Sequence, residues 1–257
     1  MLRIAFIQVS NRLFVKIIEV LLEFLIVFIF LLQASSFMFT VRIWDLPTRW
    51  FHWALVACVV GLVVTGNIGG NAMQWHFRFG YAVMSLLLFR FVWGLLGGHW
   101  SRWSQLPLRP SALKTYFQGN SPTGHLAGHN PMGSWSVLAF LVVLALQVST
   151  GLFSDDEISN MGPLAALAPS EWVSWASSWH RHWGKLTLLG LVAAHVLAVS
   201  WYRWKKNQKL VAAMLHGDKS LPEWVPPSQD TAKTRLLALL LWAMAIVSAW
   251  AIVSLGP

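Results

Sequence analysis

Runs of roughly twenty apolar residues recur along the chain and are separated by more polar connections. Each run is long enough to cross a hydrocarbon core of about 30 Å as an α-helix. Helices satisfy their own backbone hydrogen bonds in lipid, so the pattern predicts an all-α integral membrane protein. Four runs predict a four-helix bundle, at about residues 50–67, 76–97, 134–153 and 180–202, and a fifth, at about 235–254, predicts an additional C-terminal transmembrane helix.

These spans divide the chain into four parts, which are an N-terminal extension (1–37), the four-helix membrane domain (40–204), a basic and proline-rich cytoplasmic linker (205–234) and the C-terminal helix (235–257). The extension contains the apolar stretch "IIEVLLEFLIVFIFLL", in which Glu19 and Glu23 would be costly at membrane depth. We expect either a peripheral hydrophobic or amphipathic helix here or an upstream extension that is absent from the working protein.

Charged residues are few and are distributed unevenly between the connections. The net charge is +9, but only 11% of residues are charged and 56% are hydrophobic. The connections at 98–133 and after residue 202 are basic, whereas 154–179 carries four acids and no base. The positive-inside rule therefore places the basic connections in the cytoplasm and 154–179 outside. We attribute the positive charge to this bias and expect no nucleic-acid partner.

Nine histidines are present, and five of them fall within or at the ends of the predicted spans: His52, His76, His180, His182 and His195. An ionisable group at membrane depth is expensive and indicates a functional site. Neutral imidazole is a good axial ligand for haem iron, and a helix bundle offers ligands from facing helices. We expect the other four, His99, His125, His129 and His216, to be solvated or interfacial.

Depth in the membrane suggests how the histidines pair. His52 near the start of the first span and His195 near the end of the fourth lie at one level, and His76 lies level with His180 and His182 at the other. Helical rotation puts His180 about 60° and His182 about 140° from the face of His195. His180 therefore fits better, with a small helix irregularity absorbing the offset.

Each predicted ligand at the second level lies in an H-x-x-x-G motif, "HFRFG" at 76–80 and "HRHWG" at 180–184. A glycine one turn past the ligand would leave room for a flat macrocycle. Haem also carries two propionates, for which Arg78 and Lys185 are candidates at this level and Arg90 at the other. The alternatives for Arg90 are a cytoplasmic phosphate and simple snorkelling.

The segments "VRIWDLPTRWFHW", "WHFRFGYAVMSLLLFRFVWG", "GHNPMGSW", "TGLFSDDEISNMGPLA" and "HRHWGKLTLLGLVAAHVLAVSWYRW" resemble the bacterial cytochrome b561 family, which includes the b-type subunits of nickel–iron hydrogenases. The resemblance implies a four-helix bundle with two haem b groups, each held non-covalently by two histidines. The matching positions are His52, His76, His180 and His195. The family's usual spacing of ligands on the fourth helix would fall on Arg181 instead.

The resemblance also implies a multi-pass protein of the bacterial inner membrane that passes electrons between the quinone pool and a periplasmic redox partner, such as a c-type cytochrome. One alternative is the membrane-anchor subunit of a hydrogenase-like enzyme. Another is a His-lined metal-ion or proton transporter, which predicts carboxylates that the four core spans lack. A third is a haem-free anchor in the lipid. The acidic "SDDE" stretch is either solvated charge or a docking site for a basic c-type cytochrome.

Overall fold

The computed structural model of the protein describes residues 16, 18–28 and 38–256. The chain divides into two units, residues 1–39 and 40–257. In the first unit residues 18–28 are helical. The remainder of the predicted N-terminal extension lies outside the described residues.

The second unit consists mainly of helices. In chain order its regular elements are β1 (Phe39–Arg42, which starts at the unit boundary), α1 (Leu46–Ile68), α2 (Met73–Leu96), α3 (Pro110–Phe117), α4 (Gly124–Ala127), α5 (Pro131–Leu152), α6 (Ser170–Ser178), a π-helix (Trp179–Gly184), α7 (Lys185–Lys205), α8 (Leu210–His216), β2 (Asp218–Leu221) and α9 (Ala232–Val253). Short 3₁₀ turns lie at Gly70–Ala72, His99–Ser101, Trp103–Gln105 and Ala165–Leu167. Five helical stretches are long and apolar enough to cross a membrane, and they correspond to the five predicted spans. The prediction of an all-α membrane bundle is confirmed.

Three of the spanning helices begin at side chains that cap their free N–H groups. Asp45 accepts a hydrogen bond from the Thr48 N–H before α1 (2.8 Å), and Asn130 accepts one from the Gly133 N–H before α5 (2.8 Å). A proline follows each of these two caps in the first turn, where its missing N–H has no effect on the helix. Thr231 forms a capping box at the start of α9.

Helix α2 lies in the middle of the bundle. On one side Phe89 and Trp93 pack with Phe51 of α1 and with the small residues Ala238 and Ala245 of α9. On the other side Val83 packs with Leu144 of α5 and Leu188 of α7. The additional C-terminal helix therefore packs against the side of α2 that faces away from α5 and α7.

The fourth spanning stretch begins earlier than the sequence indicates. We place its start at about residue 180, but helix is continuous from Ser170 to Lys205, because amphipathic α6 joins α7 through the π-helix. A π-helix inserts one extra residue into a turn. This irregularity lies in the "HRHWG" motif.

The segment predicted to be a linker, 205–234, is folded against the chain that leads into α1. Strand β2 pairs with β1. The Ser228 N–H donates to the Arg42 carbonyl (2.7 Å) and the Ser228 hydroxyl to the Ile43 carbonyl (2.6 Å). The Trp100 indole N–H donates to the Pro226 carbonyl (2.7 Å). These contacts cover the end of the bundle at which α1 begins and α7 ends.

Ion pairs reinforce the same contact. Arg42 pairs with Asp218 (2.5 Å) and Asp230 (3.0 Å), and Arg235 of α9 also pairs with Asp230 (2.8 Å). Burial acts to raise the pKa of Asp230, but hydrogen bonds from Arg235, the Leu46 N–H and Arg42 outweigh it. The pKa of Asp230 is therefore lower than that of an ordinary aspartate.

Candidate functional site

Four of the predicted histidines form two pairs, at opposite ends of the bundle. Site 1 is His52 of α1 with His195 of α7, whose ring centroids lie 6.5 Å apart at an interplanar angle of 49°. Site 2 is His76 of α2 with His180 of the π-helix, whose centroids lie 6.0 Å apart at 85°. The fourth spanning stretch thus contributes one imidazole to each site.

The separations within the pairs fit a metal ion between two imidazoles. A metal–nitrogen bond of about 2 Å on each side puts the two ring centroids roughly 6 Å apart. Both pairs have this spacing. The histidines are also separated along the helix: the 15 residues from His180 to His195 correspond to about 22 Å of helix, which places one site towards each membrane face.

At site 2 both rings are oriented by backbone carbonyls of neighbouring helices. Nδ1 of His76 donates to the Leu62 carbonyl of α1 (3.1 Å), and Nδ1 of His180 donates to the Gln147 carbonyl of α5 (2.9 Å). Such a bond fixes the tautomer of a metal-binding histidine and leaves Nε2 as the ligand atom.

The π-helix accounts for the unusual spacing of the histidines on the fourth span. Its extra residue makes the 15-residue separation equivalent to about 14 α-helical residues, which leaves His180 roughly 40° from the face of His195. The Gln147 side chain supports this turn, because its Nε2 donates to the His180 carbonyl (2.9 Å). His182 is exposed, and its Nδ1 donates to the Ser178 carbonyl one turn back (3.2 Å). The fold therefore brings His180, and not His182, to His76.

Glycines lie where the imidazoles approach a neighbouring helix. A Cβ atom at Gly151 would lie 2.8 Å from Cε1 of His180, and one at Gly66 would lie 3.0 Å from Cε1 of His76. The glycines of the H-x-x-x-G motifs differ from each other. Gly80 has open space beside it, as expected for macrocycle approach, whereas a Cβ at Gly184 would collide with the Gln147 side chain. The role of Gly184 is thus close helix packing.

The three cations predicted to bind propionates have different surroundings. Arg78 is exposed and lies over the Trp75 ring, with its guanidinium 4.8 Å from the ring centroid. Lys185 donates to the Asn67 side chain (3.0 Å). Arg90 is 4% exposed, and its Nη1 atom has no hydrogen-bond partner among the described residues.

Sequence reasoning missed three residues near the sites. Gln147 is a lone amide in an apolar span, which is itself a signal that it needs a partner. His129, expected to be solvated or interfacial, has a buried Nδ1 with no hydrogen-bond partner in the described part of the chain. Burial, with the charges of Arg90 and Lys219, lowers the pKa of His129. Lys219 of β2 donates to the carbonyls of Leu126 and Ala127, just before His129, and this position depends on how the tail folds, for which the local sequence carries no signal.

Comparison with known proteins identifies the family. A family described as prokaryotic cytochrome b561 matches residues 43–217, which include both histidine pairs. The probable Ni/Fe-hydrogenase 1 B-type cytochrome subunit of Escherichia coli (strain K12) is 24% identical over 228 residues, which cover 73% of this chain and 94% of that protein. The probable Ni/Fe-hydrogenase B-type cytochrome subunit of Azotobacter vinelandii is 26% identical over 216 residues, which cover 69% of this chain and 87% of the relative. The corresponding protein of Bradyrhizobium diazoefficiens is 23% identical over 218 residues, with coverage of 70% and 86%. With five membrane-capable helices and a family match over more than half of its length, the chain belongs to the prokaryotic cytochrome b561 family.

Proposed function

We propose that this membrane cytochrome carries two haem b groups, one at site 1 and one at site 2, and passes electrons between them across the membrane. Family membership implies haem b and electron transfer in the membrane. Two haems are supported by the two histidine pairs at opposite ends of one bundle, whose ring centroids lie 6.5 and 6.0 Å apart. Bound haem iron would supply one-electron chemistry at each site.

In this proposal the protein supplies ligands at fixed positions. His76 and His180 each donate Nδ1–H to a carbonyl, so each presents a neutral Nε2. At site 1 Phe140 of α5 meets the His195 ring edge-on, with centroids 5.8 Å apart, and supports its orientation. The two imidazoles of each site would hold one haem without leaving a position for substrate, which suits a carrier of electrons.

We propose that site 1 lies on the cytoplasmic side of a bacterial inner membrane. The connections at this end are rich in lysine and arginine, among them Arg102, Arg109, Lys114, Arg203, Lys205, Lys206 and Lys209. The connection at the site 2 end carries Asp155, Asp156, Glu157 and Glu171. The positive-inside rule supports this orientation.

The proposed partners are membrane quinone and, on the periplasmic side, a c-type cytochrome or another redox subunit. The negative charge of the acidic loop next to site 2 favours the docking of a basic partner protein there. Asp156 has a local role there, because it accepts hydrogen bonds from Asn160, Ser159 and Ile158, which lower its pKa. Glu157, exposed on the same turn, is therefore the better candidate for contact with a partner.

The second candidate function is the membrane anchor of a hydrogenase-like enzyme. It is favoured by the three relatives described above, because each is named a probable Ni/Fe-hydrogenase B-type cytochrome subunit and the alignments cover 86–94% of their lengths. An affinity-tagged chain purified from its own membranes in mild detergent distinguishes the candidates. A stoichiometric hydrogenase-like subunit supports the anchor, and purification of the chain alone supports the free conduit.

The haem content and electron transfer of the purified chain test the main proposal. The pyridine haemochrome should give two haems per chain. In vesicles that enclose oxidised cytochrome c, added quinol should reduce the enclosed protein through the wild-type chain and not through the His195→Ala variant. A colourless preparation, or transfer that is equally fast in the variant, would refute it.

A further inference from the structure

A group of basic side chains from three separate parts of the chain gathers beside site 1. Arg90 comes from α2, His129 lies two residues before the start of α5, and Lys219 comes from β2. Nζ of Lys219 donates to the Ala127 carbonyl, two residues before His129 (3.2 Å), and the His129 ring lies within electrostatic range of Arg90, His52 and His195 as well. We call Arg90, His129 and Lys219 the basic cluster.

Each member of the basic cluster is short of a polar partner or of a counter-ion. Arg90 is only 4% exposed, and its guanidinium lies over the Trp103 ring, 4.2 Å from the ring centroid. Its Nη1 atom has no hydrogen-bond partner among the described residues. His129 packs on the Trp44 ring (centroids 4.7 Å) and leaves Nδ1 without one in the same residues.

Lys219 is bound only by uncharged atoms within the described residues. Its Nζ donates to the carbonyls of Leu126 (2.6 Å) and Ala127 (3.2 Å). Burial lowers the pKa of Lys219 to about 8. A cation held in this way gains from any carboxylate or phosphate oxygen that comes within reach.

The buried carboxylate of Asp45 lies within electrostatic range of Arg90 but forms no hydrogen bond with it. Its two oxygens already accept from the Thr48 and Gly98 N–H groups, the Ser101 hydroxyl and the Trp93 indole. None of these four donors belongs to the basic cluster. Nη1 of the buried Arg90 thus still lacks an acceptor, and the half-buried Lys219 has no carboxylate bonded to it in the described residues, so the arrangement favours a ligand with negatively charged oxygens.

We propose that the basic cluster binds the two propionate carboxylates of the haem at site 1, with Arg90 and Lys219 as the cations and His129 as a neutral donor. The inference rests on the proposed function, because it requires a haem at His52 and His195. The two carboxylates would supply acceptor oxygens for Nη1 of Arg90 and for Nζ of Lys219. The burial of Arg90 and the electrostatic proximity of His129 to His52 and His195 favour a propionate over the other anion of this chemistry, a lipid phosphate. The folded tail then becomes part of the cofactor site through β2.

The test compares haem with haem dimethyl ester, in which both propionates are neutral. The full chain carrying His180→Ala, which leaves only site 1, is stripped of haem and titrated with each form in nanodiscs. Lys219→Gln should weaken haem binding about tenfold or more, as expected for loss of a charge-assisted hydrogen bond. The same substitution should leave binding of the ester within about twofold. Lys206→Gln, at an exposed lysine of the same end, is the matched control and should change neither.

His129→Gln is the second variant, and it should show the same selective loss. The proposal would be overturned if either variant lost affinity equally for haem and for the ester, or lost affinity for neither. In both cases the unsubstituted site 1 would still bind haem, so the proposed function would stand. A loss that occurs only in anionic-lipid nanodiscs and equally for both ligands would identify a lipid phosphate as the ligand and also overturn it. If the unsubstituted chain binds no haem, the proposed function fails and the cluster proposal fails with it.

Discussion

The close approach of Gly151 to His180 makes site 2 sensitive to a single methyl group. A Cβ at Gly151 would lie 2.8 Å from Cε1 and 3.1 Å from Nδ1 of the imidazole, whereas ordinary contacts begin near 3.4 Å. The ring must therefore retreat by about 0.6 Å. It cannot do so freely, because Nδ1 is held at 2.9 Å from the Gln147 carbonyl.

The expected effect of Gly151→Ala follows from this overlap. Overpacking by one methyl group costs about 1–3 kcal/mol. If the strain falls on the ligand ring, haem binding at site 2 weakens by about fivefold to somewhat over a hundredfold. Helix propensity acts in the opposite direction, because alanine is favoured over glycine in α5 by about 1 kcal/mol. The fold itself should therefore be retained.

The assay is a haem titration of the stripped full chain, followed by circular dichroism to check the helix content. Gly190→Ala is the control, since a Cβ there meets no atom within 4 Å. We expect Gly151→Ala to lose affinity at site 2 and to keep site 1, while Gly190→Ala keeps both. Full retention of site 2 in Gly151→Ala, or equal loss at both sites, would refute the reasoning.

Three further predictions concern single groups. His180→Ala should remove the haem of site 2 and His182→Ala should not, as read from haem content; the reverse result would favour His182 as ligand. Asp45→Asn should lower the thermal midpoint of the detergent-solubilised chain, because replacing one oxygen by an NH₂ group loses hydrogen bonds worth about 3 kcal/mol; an unchanged midpoint would contradict the buried network. The lowered pKa of Asp230 means that its ion pairs stabilise the tail fully above the ordinary aspartate pKa and lose effect as pH falls below it. Limited proteolysis at 205–234 should therefore increase on acidification in wild type, whereas Asp230→Asn should be cleaved readily at every pH; equal resistance in both would count against it.

The spans and the histidine pairs could be predicted because the membrane restricts both. Lipid requires about twenty apolar residues per helix, and it makes an unpaired imidazole costly. Depth alone then matches His52 with His195 and His76 with one of two histidines. Helical geometry favours His180, but only with an irregularity that the sequence does not specify.

Features that depend on tertiary contacts could not be predicted. The π-helix is stabilised by the Gln147 side chain from another helix, so no local pattern in "HRHWG" reveals it. Helix α6 is short and amphipathic, which makes it resemble a polar connection. The basic cluster needs β2 to fold back on β1, and Lys219 therefore looks like an ordinary tail lysine in the sequence.

The central claim is that imidazoles from different helices meet in pairs, each pair holding one haem. A redox titration of the α-band in the four single His→Ala variants tests it most directly. Loss of the same component in His52→Ala and His195→Ala, and of the other component in His76→Ala and His180→Ala, is the predicted result. Loss of different components within either pair, or of neither component in any variant, would contradict the account.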